Sequence, residues 1–196
     1  MARVLCFAGS ARRDSLNKKL AAVAAAHATR LGAEATVVDL ADYPMPIYDG
    51  DLESDSGVPE TAVALRDLMV EHDGMVIACP EYNGSITPLL KNVIDWTSRP
   101  SGGKPALAAY RGKVAALVAT SPGALGGLRG MVHVRAILSG IGVFVVPGDL
   151  AVGQGMTVIG DGEQLTDPKK DEWLGDLMAR LVTTIDALKG SDQKTG

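Results

Sequence analysis

The chain has 196 residues, 46% of them hydrophobic and 21% charged, with a formal net charge of −4. That length and balance fit one globular domain with a core of its own and exclude a disordered chain or a coiled coil. The acidic charge argues against nucleic acid as a partner, and no apolar run nears the ~20 residues that cross a bilayer.

The first element is "RVLCFAG" (3–9), an unbroken apolar run ending in glycine, the pattern of a strand covered on both faces. From Leu16 the apolar positions recur at Leu20, Val23, Ala24, His27 and Leu31, a helical stripe that Gly32 stops. "EATVVDL" (34–40) predicts a second strand, and residues 41–59, rich in proline, glycine and acid, predict a loop. A helix over 60–71 leads to a third strand, "GMVIACP" (74–80). Thr87 then reads as an N-cap and Pro88 as a first helical residue, with Ile86, Leu90, Val93 and Ile94 forming the buried face. "GKVAALVAT" (112–120) is the fourth strand, a helix runs to about residue 140, and "GVFVVP" (142–147) is the fifth strand. Residues 149–165 carry no period, only a turn signal at Asp161 and Gly162. Asp167 caps a last helix over 168–189, with Trp173, Leu174, Leu177, Leu181 and Leu188 expected to face inward. The domain is expected to span 1–190, with 191–196 a disordered tail.

Strand and helix alternate five times, which predicts an α/β domain with parallel strands, right-handed crossovers and the doubly wound order 2-1-3-4-5. Cys6 and Cys79 both lie in strand-like runs and read as buried reduced thiols. His27, His72 and His133 are far apart, so nothing has metal-ligand spacing and no metal is expected. With no charged-then-apolar leader, the cytoplasm is the default location. Arg3, Arg12 and Arg13 are the one local basic cluster, a candidate anion site.

In such sheets ligands bind beyond the carboxyl ends of the strands, at the switch between strands 1 and 3. That rule selects loops 9–16, 80–87 and 121–127. In the first, "GSARRDSLN", a helix starting at Leu16 presents unpaired N–H groups and a positive dipole end. Ser10, Ser15 and Asn17 add hydrogen bonds and Arg12 a charged fork. The loop has neither GxGxxG nor GxxxxGK[ST], so a terminal phosphomonoester suits it better than a pyrophosphate or a nucleoside triphosphate. An ordinary strand–helix turn with Ser15 as its N-cap is the competing reading. In the second, "PEYNGSI", backbone N–H groups exposed by the turn suit the carbonyl edge of a flavin, Gly84 allows close approach, and Tyr82 offers an apolar wall. A capped turn with Glu81 and Asn83 facing solvent is the alternative. In the third, "SPGALGGLRG", Ser121 and the Gly126–Gly127 pair leave space for a second planar molecule, unless the glycines serve the backbone alone.

These residues resemble the NADPH-dependent FMN reductase family. Gly9-Ser10-x-Arg12-x-x-Ser15-x-Asn17 matches its phosphate loop. Pro80 to Ser85, followed by Leu90-Lys91-Asn92-x-Ile94-Asp95-Trp96, matches its flavin loop and next helix. Ser121-Pro122-Gly123 with Gly126, Gly127 and Arg129 matches its third loop, and 44–53 its proline-and-acid segment. The match covers about residues 4–147. The resemblance implies a flavodoxin-like three-layer sandwich that binds FMN through Ser10, Arg12, Ser15, Leu16 and Asn17 at the phosphate. Pro80, Glu81, Tyr82, Asn83, Gly84, Ser85, Ile86, Ser121, Gly126 and Gly127 would surround the ring. It further implies an NAD(P)H oxidoreductase in which a hydride from NADPH or NADH passes through flavin N5 to a quinone, flavin, azo or metal-oxyanion acceptor in a ping-pong cycle. No catalytic acid or base is then demanded, and Lys91 with Asp95 reads as an exposed pair or an oligomer contact. Family members commonly form homodimers or homotetramers, with the helix over 91–96 near the interface. A flavodoxin-like electron carrier and a flavin-binding redox sensor are the alternatives. A nucleotide kinase is disfavoured, because Arg12-Arg13-Asp14 stands where Gly-Lys-Ser/Thr would be needed.

Overall fold

Alternation along each central strand sends its side chains into two separate cores. A computed structural model describes residues 1–160 and 162–192. In β1 (Arg3–Ala8), Val4, Cys6 and Ala8 face one side of the sheet, while Leu5 and Phe7 face the other. β3 (Gly74–Ala78) and β6 (Val114–Thr120) are buried at every position, as doubly covered parallel strands must be. The first core is closed by α1 (Leu16–Arg30) and α7 (Pro168–Asp192), through Leu20, Val23, Leu174, Leu177 and Leu181. The second is closed by α3 (Glu60–Glu71), α4 (Pro88–Thr97) and α5 (Leu128–Gly140), through Leu65, Met69, Leu90, Val93, Met131 and Val134. Burial pushes the Cys6 thiol up to about 12 and raises that of Cys79 as well, so both behave as apolar packing groups.

The sheet order is β2-β1-β3-β6-β7, where β2 is Glu34–Val38 and β7 is Phe144–Val145, with all pairs parallel. This is the predicted 2-1-3-4-5 flavodoxin-like order with one change. The fifth strand is broken: β7 covers only the start of β6, and β8 (Leu150–Val152) pairs with its end. Pro147 lacks an N–H and Gly148 has φ +91°, so the chain leaves the ladder between the two pieces. Two arginines take the carbonyls this frees. Arg135 of α5 donates to Val145 and Val146 and pairs with Asp149, and Arg180 of α7 donates to Pro147.

Other elements depart from expectation for local reasons. The presumed loop 41–59 holds a 3-10 turn (Leu40–Asp42) and α2 (Gly50–Ser56), which Asp49 caps through Asp51 N–H. This strap is pinned to α4: Asn92 accepts from Tyr48 N–H (2.7 Å), and Asn92 Nδ2 and Trp96 Nε1 both donate to Pro46 O (2.8 Å each). Trp173 does not face inward. It is 48% exposed, with the Lys169 ammonium 5.1 Å from its ring centre. α7 continues to Asp192, past the expected end at 189 and into the expected tail. The remainder of that tail, 193–196, and Asp161 of the expected turn lie outside the described residues. No helix among the described residues is long and apolar enough to cross a membrane.

Candidate functional site

The ends of β1, β3 and β6 carry the three selected loops to one edge, where two direct ties lock them together. Thr87 caps α4 by accepting from Leu90 N–H (3.3 Å) and donates its hydroxyl proton to Gly9 O (2.8 Å), joining the first and second loops. A Cβ on Gly9 would lie 2.9 Å from Leu90 Cβ, so only glycine lets α4 approach this closely. Asn17, 6% exposed, joins the first loop to the third. Its Nδ2 donates to Thr120 O (2.9 Å) and its Oδ1 accepts from Thr120 N–H (3.0 Å), so the side chain imitates one more rung of sheet. The carboxamide expected to meet a phosphate is therefore spent on the fold. What Asn17 offers a ligand is its backbone N–H in the first turn of α1.

Ser10 and Ser15 are both buried, and both accept rather than donate among the described residues. Ser10 Oγ takes Arg12 N–H (3.3 Å), and Ser15 Oγ takes Lys18 N–H (3.4 Å) as the N-cap of α1. Each hydroxyl keeps its proton for an outside acceptor. Arg12 is exposed and has no carboxylate partner among the described residues. Arg3 does not join it. Arg3 sits at the opposite end of β1, donating from its backbone to Asp73 and from its guanidinium to Glu71 O, so the expected three-arginine cluster does not form.

The second loop is a hairpin. β4 (Glu81–Tyr82) and β5 (Ser85–Ile86) pair antiparallel through Asn83 and Gly84, at φ +52° and +79°, the two left-handed residues of a type I′ turn. Glu81 does not face solvent, and its side chain is 9% exposed. Its carboxylate accepts from the N–H groups of Arg129 (3.0 Å) and Gly130 (3.1 Å) at the start of α5 and pairs with the Arg129 guanidinium. Ser85 Oγ bonds His133 Nδ1 (2.8 Å) on the next turn. The hairpin is thus docked on α5 by two side chains.

Burial alone would raise the Glu81 carboxyl, but the Arg129 guanidinium and the Gly130 N–H outweigh it and hold its pKa below the ordinary value. A carboxylate depressed on folding stabilises above its unfolded pKa of about 4.3, and that contribution is lost as pH falls through the folded value. Glu81→Gln is therefore expected to cost about 1–2 kcal/mol at pH 7 and progressively less below about pH 4, measured by urea denaturation. An equal gap at both pH values would contradict the assignment.

Nine expected residues line one cleft of about 320 Å³: Ser10, Arg12, Ser15, Leu16 and Asn17 from the first loop, Pro80, Glu81 and Tyr82 from the second, and Ser121 from the third. The others stand back from it. Asn83, Gly84, Ser85 and Ile86 make the turn and return strand that set Tyr82, half exposed, on the rim. Gly126 is packed where a Cβ would meet Val152 backbone at 2.6 Å. Gly127 is the N-cap of α5, at φ +88°, and lines an adjoining hollow with Ser121 and Arg129. Four cleft residues escaped sequence reasoning: Asp14, Thr120, Pro122 and Met156. Asp14 and Pro122 lie inside the first and third selected loops without being singled out as contacts, and Thr120 adjoins the third, so only Thr120 needed a wider loop. Met156 had no such signal, lying in the segment without period. Among the described residues no three histidine, cysteine or acidic side chains gather as a metal would require.

The donor set fits a phosphate monoester: two hydroxyl protons and a guanidinium with no acceptor partner among the described residues, and the first-turn N–H groups of a 15-residue helix, all lining one cleft. Lys91 and Asp95 lie outside it as an exposed i,i+4 pair (2.7 Å). The family model for NADPH-dependent FMN reductase matches residues 2–157. A 2-hydroxy-1,4-benzoquinone reductase from Burkholderia sp is 37% identical over 136 residues, 69% of each chain. A quinone reductase of Escherichia coli (strain K12) is 36% identical over 140 residues, again 69% of each. In three dimensions, the flavoenzyme NAD(P)H:(acceptor) oxidoreductase FerB from Paracoccus denitrificans superposes with a TM-score of 0.79 at 29% identity, covering 95% of this chain and 98% of that one.

Proposed function

The chain belongs to the NADPH-dependent FMN reductase family and is an NAD(P)H-dependent oxidoreductase that uses FMN, and from that footing we propose that its acceptor is a quinone, reduced in a ping-pong cycle. The observation that carries this reading is the meeting of three sequence-distant loops in one cleft, lined both by phosphate-type donors and by Tyr82. The quinone class is supported by the names of the relatives at 36–37% identity.

In this reading the Ser10 and Ser15 hydroxyls, the Arg12 guanidinium and the N–H groups of Leu16 and Asn17 hold the phosphate. Tyr82, Pro80 and Ser121 flank the rest of the cofactor. FMN, when bound, supplies a ring nitrogen that can take and give a hydride equivalent, so neither half-reaction calls on a side-chain acid or base. The protein's task is orientation. The Thr87–Gly9 and Asn17–Thr120 ties fix the loops relative to one another, and Glu81 fixes the hairpin on α5. Nicotinamide and quinone would then use the open side of one cleft in turn, which is the ping-pong order. We also read residues 1–190 as a single FMN-binding domain that self-associates, a reading supported by the exposed Leu128 and Val132 of α5.

The test is an absorption spectrum of the purified protein with FMN, then with NADH or NADPH, then with a quinone. A bound yellow species that bleaches with nucleotide and returns with quinone is expected. A protein that stays colourless with FMN in excess, or bleaches and is not reoxidised by quinone, would sink the reading.

A further inference from the structure

One wall of the cleft is built by residues that no motif announces. After β8 the chain turns through Gln154, at φ +57°, into a single helical turn, α6 (Gly155–Val158). This segment is tied to the third loop along its length. Thr120 Oγ1 donates to Val152 O (2.8 Å), Gln154 N–H to Gly123 O (3.1 Å) and Gly155 N–H to Ser121 O (2.9 Å). The approach is as close as backbone allows. A Cβ on Gly153 would lie 2.3 Å from Ala124 O. One on Gly155 would lie 2.3 Å from Thr120 Oγ1 and 3.1 Å from Leu16 Cδ1, over the first turn of α1.

From this rigid base Met156 projects with 71% of its surface exposed, although its neighbour Val158 is buried. It lines the same cleft as Ser10, Arg12, Ser15 and Leu16. An unbranched apolar side chain held at the rim of a polar cleft gains little from water and much from a ligand that covers it. We propose that Met156 is a cofactor-contact residue whose thioether covers the phosphate end of FMN and keeps water from the phosphate contacts. The inference rests on the cleft being the FMN site and adds a fourth wall to it. Excluding water there lowers the local dielectric and strengthens the Arg12 and hydroxyl contacts, an effect a ligand without phosphate cannot share.

The experiment compares FMN and riboflavin affinity by flavin-fluorescence titration in wild type, Met156→Ala and Met156→Leu, with thermal melts as the folding control. The alanine variant is expected to release FMN about tenfold more readily while riboflavin changes by less than about threefold. Leucine, of similar volume, should stay within about twofold of wild type for FMN. Wild-type affinity for FMN in the alanine variant, or an equal loss for riboflavin, overturns the placement. If wild type itself fails to bind FMN, the reading of the cleft falls first. If wild type binds and the alanine variant binds as tightly, only the role of Met156 falls.

Discussion

Arg12→Ala is expected to raise the dissociation constant for FMN about 30-fold while leaving riboflavin within about twofold. The reason is charge. A guanidinium with no carboxylate partner among the described residues gains a full charge-assisted hydrogen bond when a phosphate arrives, about 2 kcal/mol, whereas riboflavin presents nothing to it. Arg12→Lys should recover part of the loss, because a point charge remains but the planar fork does not. The exposed side chain makes no contact that folding depends on, so melting temperature in the absence of cofactor should not move. Titration of both flavins against the three proteins checks this. Equal weakening of FMN and riboflavin by alanine would place the phosphate elsewhere.

The second large effect is on stability. Asn17→Ala is expected to cost about 3 kcal/mol, because Thr120 loses partners for both its N–H and its carbonyl in a buried position. For a chain of this size that corresponds to a melting temperature lower by about 6–12 °C. FMN binding should weaken with it, since the same bonds hold the start of α1 against the end of β6. Asn17→Asp should not rescue, because a carboxylate oxygen would replace the donor that faces Thr120 O. Calorimetry on the three proteins gives the answer, and an Asn17→Ala variant within about 0.5 kcal/mol of wild type would remove the tie from the account.

Much of the fold was legible because it rests on local patterns. Unbroken apolar runs became β1, β3 and β6, since both faces of those strands are covered. Thr87 before Pro88 encodes a helix cap in adjacent residues, whereas the turn at Asn83 and Gly84 is shown to be a type I′ hairpin only by the structure. The loops failed where a side chain's partner is remote in sequence. Asn17 read as a ligand donor because Thr120, 103 positions away, is invisible from its neighbourhood. Glu81 reads as a ring neighbour, or as solvent-facing in the competing capped turn, because its partners on α5 are just as remote in sequence. Arg3 was grouped with Arg12 by proximity along the chain, yet a strand of six residues separates opposite ends of the sheet. The edge strand is legible at 142–147 but its break is not: β7 keeps only two residues of that run, β8 lies in the stretch without period, and each is a strand only because β6 supplies its hydrogen bonds.

The order of residues alone settled the doubly wound sheet, its strand order and the three loops at its carboxyl edge. Burial periodicity, caps and turns are properties of stretches a few residues long. Only folding in three dimensions decided which donors in those loops stay free for a cofactor and which are consumed, and only it carried Met156 to the cleft. A hydrogen bond can be spent once, and whether a group is spent depends on what packs against it from the far end of the chain.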